Sequence, residues 1–259
     1  YYDIISMSYL FLSCTEKIIM SVKQQIKSLR APFYKILYPN KQKFTCPICL
    51  YTGPFKDKKR RLNAKCPKCG ENERARLQYI VIKQLFDSYE NIDAQILHIA
   101  PERALQKYFQ SKFKNYTSAD KFRTNVDIQF DVVDIPFPDA SFNIVFASHI
   151  LLYPFDDIKA ISEMRRILKP NGIAIIPMPV FAEKTVDDYS GNARWTHMSG
   201  LDYYNRYRQF FPKVDLYSSK MFPEHYQLYI WDSQKDNPLA VDDIRREELV
   251  PVCYVSTES

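Results

Sequence analysis

The chain has 259 residues, of which 46% are hydrophobic and 25% charged, a composition typical of globular proteins and not of disordered or fibrous ones. No apolar run approaches the roughly 18 residues that a membrane-spanning helix needs. The first residues lack a basic flank and a small-residue cleavage site, so we expect no signal peptide and a cytoplasmic protein.

The formal net charge of +6 is concentrated in one short segment. Residues 41–76 contain eleven Lys and Arg against three acidic residues, a net +8, which leaves −2 for the rest of the chain. Such a patch can attract phosphate-rich partners such as RNA. A solvated, lysine-rich face is the alternative interpretation of the same residues.

The first predicted helix covers residues 16–30. Its apolar side chains recur at helical spacing, at Ile18, Ile19, Val22, Ile26 and Leu29. Lys and Arg occupy much of the other face, which permits binding to a membrane surface, although docking on the protein's own core is the more common use of such a helix. We predict an N-terminal helical segment over residues 1–43.

Four cysteines follow at a spacing typical of metal sites. Cys46 and Cys49 form one CxxC pair, and Cys66 and Cys69 form a second pair after sixteen intervening residues. Four thiolates at this spacing can close a tetrahedral shell around zinc, and a glycine behind the second pair permits a tight turn. In a reducing cytoplasm a metal is favoured over two disulfides. We predict a structural zinc ribbon over residues 44–71; Cys14 and Cys253 lie outside the metal spacing.

Beyond the cysteines, helices alternate with apolar strands. The predicted helices are 71–90, 102–111, 156–168 and 201–211. The predicted strands are 95–100, 116–119, 128–132, 142–147, 173–178, 214–218 and 225–230. This alternation predicts an α/β fold with a mostly parallel sheet covered on both faces. The interval between Asp120 and Asp127 is too short for a crossover helix, and the acidic sequence from Asp232 onward is predicted to be a loose or peripheral end.

The most specific signature is the run 131–179, "DVVDIPFPDASFNIVFASHILLYPFDDIKAISEMRRILKPNGIAIIPMP". It resembles the third and fourth strands, the next helix and the "LKPGG" turn of class I S-adenosylmethionine-dependent methyltransferases, with "LKPNG" in this chain. The cysteine ribbon, "ERARLQ", "LHIAPE", "KTVDDY" and "RWTHMSGLDYY" resemble a bacterial branch of that family that carries a zinc ribbon ahead of the methyltransferase domain.

The resemblance covers roughly residues 93–231 and implies a Rossmann-like, seven-stranded methyltransferase sheet with helices on both faces and an antiparallel last strand. The predicted division of the chain is an N-terminal helical segment (1–43), the zinc ribbon (44–71), a methyltransferase-like domain (72–232) and a C-terminal tail (233–259).

The resemblance also implies a pocket for S-adenosyl-L-methionine at the carboxyl ends of the parallel strands. Asp120 matches the acid that accepts hydrogen bonds from the two ribose hydroxyls. Asp131 matches the acid near the adenine amino group, with Val132 and Val133 as apolar neighbours of the ring. Ser148 and His149 end the fourth strand, beside the expected position of methyl transfer. Each acid is alternatively a loop carboxylate that faces water.

The first strand and its turn, "ILHIAPE", depart from the family pattern. His98 replaces the usual acid, and Ala100, Pro101 and Glu102 stand where glycines are usual. Pro101 suits the first position of a helix, and Glu102 then lies near the positive end of that helix. The helix N–H groups can still bind the cofactor carboxylate, and His98 is alternatively a buried histidine with satisfied nitrogens.

The loop after the fifth strand, "KTVDDYSGNARWTHMSGLDYY", lies where these enzymes often build their substrate site. It concentrates charged and aromatic residues, and His197 is a candidate general base because the unperturbed pKa of histidine lies near neutrality. A packed lid is the alternative. Leu152 and Tyr153 stand where relatives often have Glu-His, a departure that bears on catalysis.

The preferred hypothesis is a methyltransferase acting on a small molecule or a sugar, because this loop is polar and aromatic. The alternatives are an RNA methyltransferase that uses the basic ribbon, and an inactive methyltransferase fold that serves as a binding or scaffold module. Salt-sensitive RNA binding separates the two enzyme hypotheses, and cofactor binding separates both from the scaffold.

Overall fold

The computed structural model describes residues 31–191, 193–232 and 236–257. The predicted helix at 16–30 and Cys14 lie outside the described residues. The described chain begins with helix α1, residues 31–37, which is followed by the cysteine module and then by the sheet. No helix in these three ranges is both long enough and apolar enough to cross a membrane.

Two short antiparallel hairpins form the cysteine module. Their strands are β1 (Lys43–Thr45) with β2 (Thr52–Pro54), and β3 (Lys56–Lys58) with β4 (Arg61–Lys65). Each CxxC pair lies in the turn directly after β1 or β4. Leu50 and Gly70 follow the two pairs with φ angles of 58° and 84°. Each donates its N–H to the carbonyl of the first cysteine of its pair at 2.9 Å, so the predicted tight turn at Gly70 is confirmed.

Helix α2 (Glu73–Phe86) leads from the module to the sheet. Asn72 caps it, because its side chain accepts a hydrogen bond from the N–H of Ala75 and so satisfies one donor of the first turn. Leu77 and Val81 on its inner face are fully buried. The predicted helix at 71–90 is therefore confirmed with shorter ends.

Seven strands form one sheet in the order β12-β15-β9-β8-β5-β6-β7. Their bounds are β5 Gln95–Ile99, β6 Asn115–Asp120, β7 Ile128–Gln129, β8 Phe142–Ala147, β9 Leu168–Ile175, β12 Lys213–Ser218 and β15 Leu249–Tyr254. Strands β7, β6, β5, β8 and β9 are parallel to one another. Strand β15 is antiparallel to both β9 and β12. The sheet is the seven-stranded one with an antiparallel last strand that the resemblance implies.

Helices cover both faces of this sheet. They are α3 (Arg103–Lys112), α4 (Asp157–Arg166) and α5 (Tyr204–Arg208), with α2. Neighbouring β5 residues point to opposite faces: Ile96 belongs to one core cluster with residues of α2 and α3. Leu97 belongs to a second cluster with residues of α4 and α5. The predicted two-sided cover is confirmed.

The remaining elements are short. Strands β10 (Val186–Asp187) and β11 (His197–Met198) form one hairpin, and β13 (Ile230–Trp231) pairs with β14 (Arg245–Arg246). The 3-10 helices are Leu201–Tyr203, Ser219–Met221 and Glu224–Tyr226. The predicted strand at 225–230 is wrong, because most of it is the last of these 3-10 helices and the turn that follows.

The prediction of a peripheral end after Asp232 is also wrong. Strand β15 lies inside the sheet, between β9 and β12, and Val250, Val252 and Cys253 are fully buried. A proline usually argues against an interior strand. Pro251 is accommodated because β15 pairs with β9 only from Val252 onward.

Two further boundaries position the site. Strand β9 begins before the predicted residue 173, because Leu168 pairs with Phe142 and the "LKPNG" segment lies within the strand. Between β6 and β7 the chain forms only bends and turns, so the prediction of no crossover helix is confirmed. The loop 121–127 therefore lies beside the carboxyl ends of β5 and β6.

Candidate functional site

The four cysteines of the module converge on one point. All four Sγ atoms lie within 4.8 Å of one another. The sulfurs of Cys46 and Cys69 are 3.6 Å apart, as are those of Cys49 and Cys66. Zinc with Zn–S bonds of about 2.3 Å in a tetrahedron holds its sulfurs about 3.8 Å apart, whereas a disulfide needs about 2.05 Å. The cysteine cluster therefore has the dimensions of a zinc shell.

This cluster has the character of a structural site. Three of its cysteines are buried, and Cys49 is half-buried. Four sulfur ligands fill a tetrahedral shell and leave no position for a substrate. Cys253 is a buried residue of β15, which agrees with the prediction that it has no part in the metal site.

Arg76 joins the module to the sheet domain and is fully buried. Its guanidinium donates to the carbonyls of Ala64 and Glu71 at 3.0 Å. It also donates to the carbonyl of Gln227, at 2.6 and 3.1 Å, and lies over the ring of Phe55 at 4.6 Å. These contacts hold the end of the module, at Glu71, against the sheet domain.

A first cavity of about 470 Å³ opens at the carboxyl ends of β5 and β6. It is lined by Ile99, Ala100, Asp120, Lys121, Phe122, Phe130, Asp131, Val132, Ile150, Tyr153 and Pro154. Four of the predicted cofactor residues, Ala100, Asp120, Asp131 and Val132, thus meet in one space, whereas Val133 packs against the core and does not line it. Its volume is in the range of small-molecule sites, and the carboxyl edge is where open α/β sheets usually bind ligands.

The turn after β5 has the shape that a glycine would allow. Ala100 has a φ of 54°, in the left-handed region that favours glycine. Its N–H donates to the carbonyl of Ala119 at 2.7 Å, which ties the turn to the end of β6. Helix α3 then begins after Glu102, whose side chain makes no capping hydrogen bond. The first N–H groups of α3 are therefore left for other acceptors.

His98 lies beneath this turn and lines neither this cavity nor the second one described below. The ring is fully buried, with Nε2 donating to Glu102 at 3.0 Å and the Tyr116 hydroxyl donating to Nδ1 at 3.1 Å. Burial lowers the pKa of His98, which keeps the ring neutral. This geometry supports the alternative of a buried, satisfied histidine that positions Glu102, and it does not support direct contact with a cofactor.

Asp120 ends β6 and is held by its own loop. One carboxylate oxygen accepts the N–H groups of Phe122 and Arg123 at 2.8 and 2.9 Å. The other accepts from Nε of Arg123 at 2.6 Å. Burial alone would raise the pKa of Asp120, but these hydrogen bonds outweigh it and the pKa is lowered. The acid is charged, and its second oxygen is engaged by an arginine.

Arg123 also bridges the two loops of the cavity rim. Its Nη1 donates to the carbonyl of Pro101 at 3.1 Å, so one side chain links the turn after β5 to the loop after β6. Across the cavity, Asp131 accepts from the ammonium of Lys121 at 2.6 Å. Both candidate acids are therefore paired with cations from the loop 121–127.

A second cavity of about 390 Å³ lies next to the first, and Tyr153 lines both. Its lining is Glu71, Asn72, Arg74, Ala75, Gln78, Glu102, Ser148, His149, Leu152, Tyr153, Pro179, Phe181, Arg194 and Trp195. Three predicted residues, Glu102, Ser148 and His149, belong to this second space and not to the first. The Ser148 hydroxyl accepts from the amide of Gln78 at 2.9 Å.

His197 is fully buried in an ion network and lines neither cavity. Its Nδ1 is 2.7 Å from Asp187, and its Nε2 is 2.9 Å from the carbonyl of Pro154. Arg206 donates to Asp187 at 2.6 Å and to Asp157 at 2.5 Å. Arg206 Nη1 also lies 3.4 Å from Nδ1, so both ring nitrogens are engaged by groups of the fold and the buried ring does not reach either cavity. The geometry supports the packed-lid alternative for His197, not the general base.

Several residues at these cavities were not anticipated from the sequence. Lys121 and Arg123 lie in the interval where no element was predicted, and their only signal was two cations close behind Asp120. Arg74 and Gln78 lie on α2, where polar positions within "ERARLQ" face the second cavity. The signal for these two was the presence of polar residues on the face of α2 that packs inward, a face that is usually apolar.

The strand order, the single antiparallel strand and the cavity at the carboxyl edge define an α/β protein with the class I methyltransferase fold, preceded by a four-cysteine module. Residues 84–176, somewhat more than a third of the chain, match the family model of a methyltransferase domain. No curated protein sequence matches the chain.

The chain is also similar to solved structures. One is a putative methyltransferase from Bacillus halodurans, with 14% identity, a TM-score of 0.45 and coverage of 71% of this chain and 98% of that one. Another is a phosphoethanolamine N-methyltransferase from Haemonchus contortus, solved with S-adenosylhomocysteine. It has 13% identity, a TM-score of 0.48 and coverage of 68% and 52%. A third is a putative sarcosine dimethylglycine methyltransferase from Galdieria sulphuraria, with 16% identity, a TM-score of 0.43 and coverage of 59% and 65%.

Proposed function

We propose that the protein is an S-adenosyl-L-methionine-dependent methyltransferase whose cysteine module holds zinc. The observation that carries the proposal is the first cavity, in which Asp120, Asp131 and Val132 line one space at the carboxyl edge of the sheet. The match of residues 84–176 to a methyltransferase domain supports it.

The residues of the first cavity fit the adenosyl part of this cofactor. Asp120 accepts hydrogen bonds from the two ribose hydroxyls, because one carboxylate can accept from both. Asp131 accepts from the adenine amino group, and Phe130 and Val132 pack against the ring. When bound, the cofactor supplies an electrophilic methyl group on a positively charged sulfur.

The turn after β5 holds the cofactor's carboxylate in this proposal. The left-handed backbone of Ala100 gives the chain the sharp turn that glycine gives in most relatives. The N–H groups at the start of α3, which Glu102 does not cap, then face an anion. Before the ribose can bind, Arg123 has to release the second oxygen of Asp120.

The favoured acceptor is a small molecule or a sugar. The second cavity is small, and Tyr153 separates it from the first, so an acceptor there would lie beside the cofactor. Proximity of the two reactants then supplies much of the rate enhancement. Ser148 and His149, at the end of β8, are the chain's own groups next to that acceptor.

A second candidate function is methylation of RNA. Lys59 and Arg60 are exposed at the turn between β3 and β4, on the module that carries the +8 charge. Exposed cations of this kind can bind phosphates without reading sequence. In either case the zinc is structural, because the four cysteines complete its shell.

Thermal unfolding in the presence of S-adenosylhomocysteine tests the cofactor proposal. A ligand that binds only the folded state stabilises it by RT ln(1 + [L]/Kd), about 2.7 kcal/mol at a hundredfold excess over Kd. We expect the Tm of the sheet domain to rise steadily with ligand concentration, and adenosine monophosphate to give a smaller rise. An unchanged Tm at millimolar ligand would support the scaffold hypothesis instead.

A further inference from the structure

The second cavity contains a histidine with no partner. Among the described residues, both ring nitrogens of His149 are buried and neither makes a hydrogen bond. His149 is one of the residues that line the cavity, and its ring nitrogens lie just behind that wall. A buried polar atom without a partner destabilises the fold, so a ligand that bonds this ring would remove an existing penalty.

The backbone at His149 also departs from ordinary geometry. Its φ of 57° lies in the left-handed region, which a residue with a side chain rarely adopts. Its N–H donates to the carbonyl of Pro177 at 2.8 Å, which fixes this conformation against the end of β9. Strain of this kind concentrates at functional sites. This left-handed turn lies at the cavity wall, two residues beyond the end of β8.

The charges of the cavity wall cancel. The wall contains two arginines, Arg74 and Arg194, and two glutamates, Glu71 and Glu102. Burial, and the nearby Arg74, lower the pKa of His149 to about 3, so the ring is neutral at physiological pH. A wall without net charge does not favour an anion such as a phosphate. It offers instead many planar hydrogen-bonding groups.

An aromatic surface completes the wall. The rings of Phe181 and Trp195 are stacked with centroids 5.0 Å apart, and the guanidinium of Arg194 lies over Trp195 at 4.9 Å. Aromatic faces next to neutral hydrogen-bonding groups suit a ligand that carries both C–H faces and hydroxyls. A sugar ring has that chemistry, and a charged phosphate ester does not.

We propose that the second cavity binds a neutral sugar as methyl acceptor, and that His149 forms a hydrogen bond with one of its hydroxyls. The neutral ring has one nitrogen that accepts a hydrogen bond and one that donates. Gln78, held by Ser148, and Arg194 are further groups within the same wall. The acceptor role rests on the proposed methyltransferase function, whereas sugar binding does not.

The test uses the full zinc-loaded chain labelled with 15N-histidine. The chain has four histidines, so each imidazole can be assigned from its own variant. In the presence of S-adenosylhomocysteine, the protein is titrated with a panel of neutral mono- and disaccharides and their methyl glycosides. The corresponding sugar phosphates are tested in parallel. We expect at least one neutral sugar to shift the His149 nitrogens saturably and leave the exposed His225 unchanged.

Two variants make the result specific. His149→Ala should weaken binding of that sugar about five- to tenfold, as expected for one hydrogen bond. His149→Asn, whose side chain tolerates a left-handed backbone and supplies another acceptor, should retain part of the affinity. His225→Ala, outside both cavity walls, is the matched control and should bind normally.

The proposal is overturned if no neutral sugar shifts His149, if only phosphorylated sugars do, or if His149→Ala binds as well as the unmodified chain. Titration of the same samples with S-adenosylhomocysteine separates the two claims. If S-adenosylhomocysteine binds and no neutral sugar does, the sugar-binding proposal is wrong but the proposed function still stands. Failure of S-adenosylhomocysteine to bind the unmodified chain removes the proposed function.

Discussion

Arg123 holds both the carboxylate on which the cofactor proposal depends and the loop beside it. Its guanidinium pairs with Asp120 at 2.6 Å and reaches the carbonyl of Pro101 at 3.1 Å. A ribose that binds Asp120 has to displace the first of these contacts. The side chain is 45% exposed, so solvent screens the pair and keeps its strength at about 1 kcal/mol or less.

Arg123→Ala should therefore raise the affinity for S-adenosylhomocysteine, by up to about fivefold if the whole pair energy is released. Isothermal titration calorimetry measures this difference. Lys107→Ala, which removes an exposed cation of α3 instead, is the control and should leave the affinity unchanged. A large loss of affinity in Arg123→Ala would mean that the arginine binds the cofactor and does not compete with it.

The sequence predicted individual residues best where a strand ends. Asp120, Asp131 and Val132 could be matched because the carboxyl edge of a parallel sheet brings consecutive strand ends together. Arg123 could not, because a loop of bends and turns has no periodicity from which a side-chain direction follows. His197 was predicted from the sequence as a general base, and its pairing with Asp187 is visible only in the folded structure.

At the scale of elements, the cysteine module meets the sheet domain at several points, through Asn63 and Gln227, Arg61 and Glu73, and the segment that joins them at Glu71. The N–H of Cys66 donates to the carbonyl of Glu71 at 3.0 Å, and Arg76 binds the same carbonyl. Glu71 and Asn72 then form part of the second cavity. The cysteine module therefore supports one wall of the second cavity, while the first cavity is built from the sheet and its loops.

The purified chain should contain about one zinc, bound by Cys46, Cys49, Cys66 and Cys69. Cys66→Ser should lose the metal, loosen the module and leave binding of S-adenosylhomocysteine intact, because metal binding contributes to the folding of such modules. Elemental analysis gives the metal content, and calorimetry gives the cofactor affinity. Cys253→Ala is the control and should keep its zinc. A full complement of zinc in Cys66→Ser would contradict the assignment.

Most elements of the seven-stranded sheet and the helices that cover it could be predicted from the sequence, and the exception among them has a physical cause. The helix and strand periods predicted α2 to α5 and six of the seven strands of this sheet. Strand β15 was missed because its apolar run stands within an acidic, polar tail and contains Pro251. Such a strand is fixed by pairing with distant segments, β9 and β12, and not by local pattern.

At the scale of the whole molecule, most of the positive charge lies outside the wall of the second cavity, and Arg74 is the cation of the basic segment that lines it. Residues 41–76 carry a net +8, while the cavity wall contains two arginines and two glutamates. Arg61 of the basic segment forms an ion pair with the buried Glu73, with 2.6 Å between Nη1 and Oε1. The cations that remain available for a partner are concentrated at the turn between β3 and β4.

If the module holds RNA, its affinity should fall steeply as salt rises. Joint reversal of Lys58, Lys59 and Arg60 to Glu should remove most of the binding, and Arg61 is left in place to keep Glu73 paired. Filter binding at several salt concentrations measures this. Reversal of Lys107, Lys114 and Lys220, three cations of the sheet domain, is the charge-matched control. Equal loss in both triple variants would point to net charge and not to a binding surface.

The central claim is that the first cavity binds the methyl-donor cofactor through Asp120. Asp120→Asn keeps an oxygen for the N–H groups of Phe122 and Arg123 and removes the charge. A hydrogen bond to a charged group is worth about 1.5–3 kcal/mol. Asp93→Asn, at an exposed acid far from the cavity lining, is the matched control.

Isothermal titration of the zinc-loaded chain with S-adenosylhomocysteine is the most direct test. We predict saturable binding of one ligand per chain, unchanged in Asp93→Asn and weakened roughly ten- to a hundred-fold in Asp120→Asn. Equal affinity in all three proteins would contradict the role of Asp120. No binding to the unmodified chain would contradict the cofactor site itself, and would leave a methyltransferase fold that serves as a binding or scaffold module.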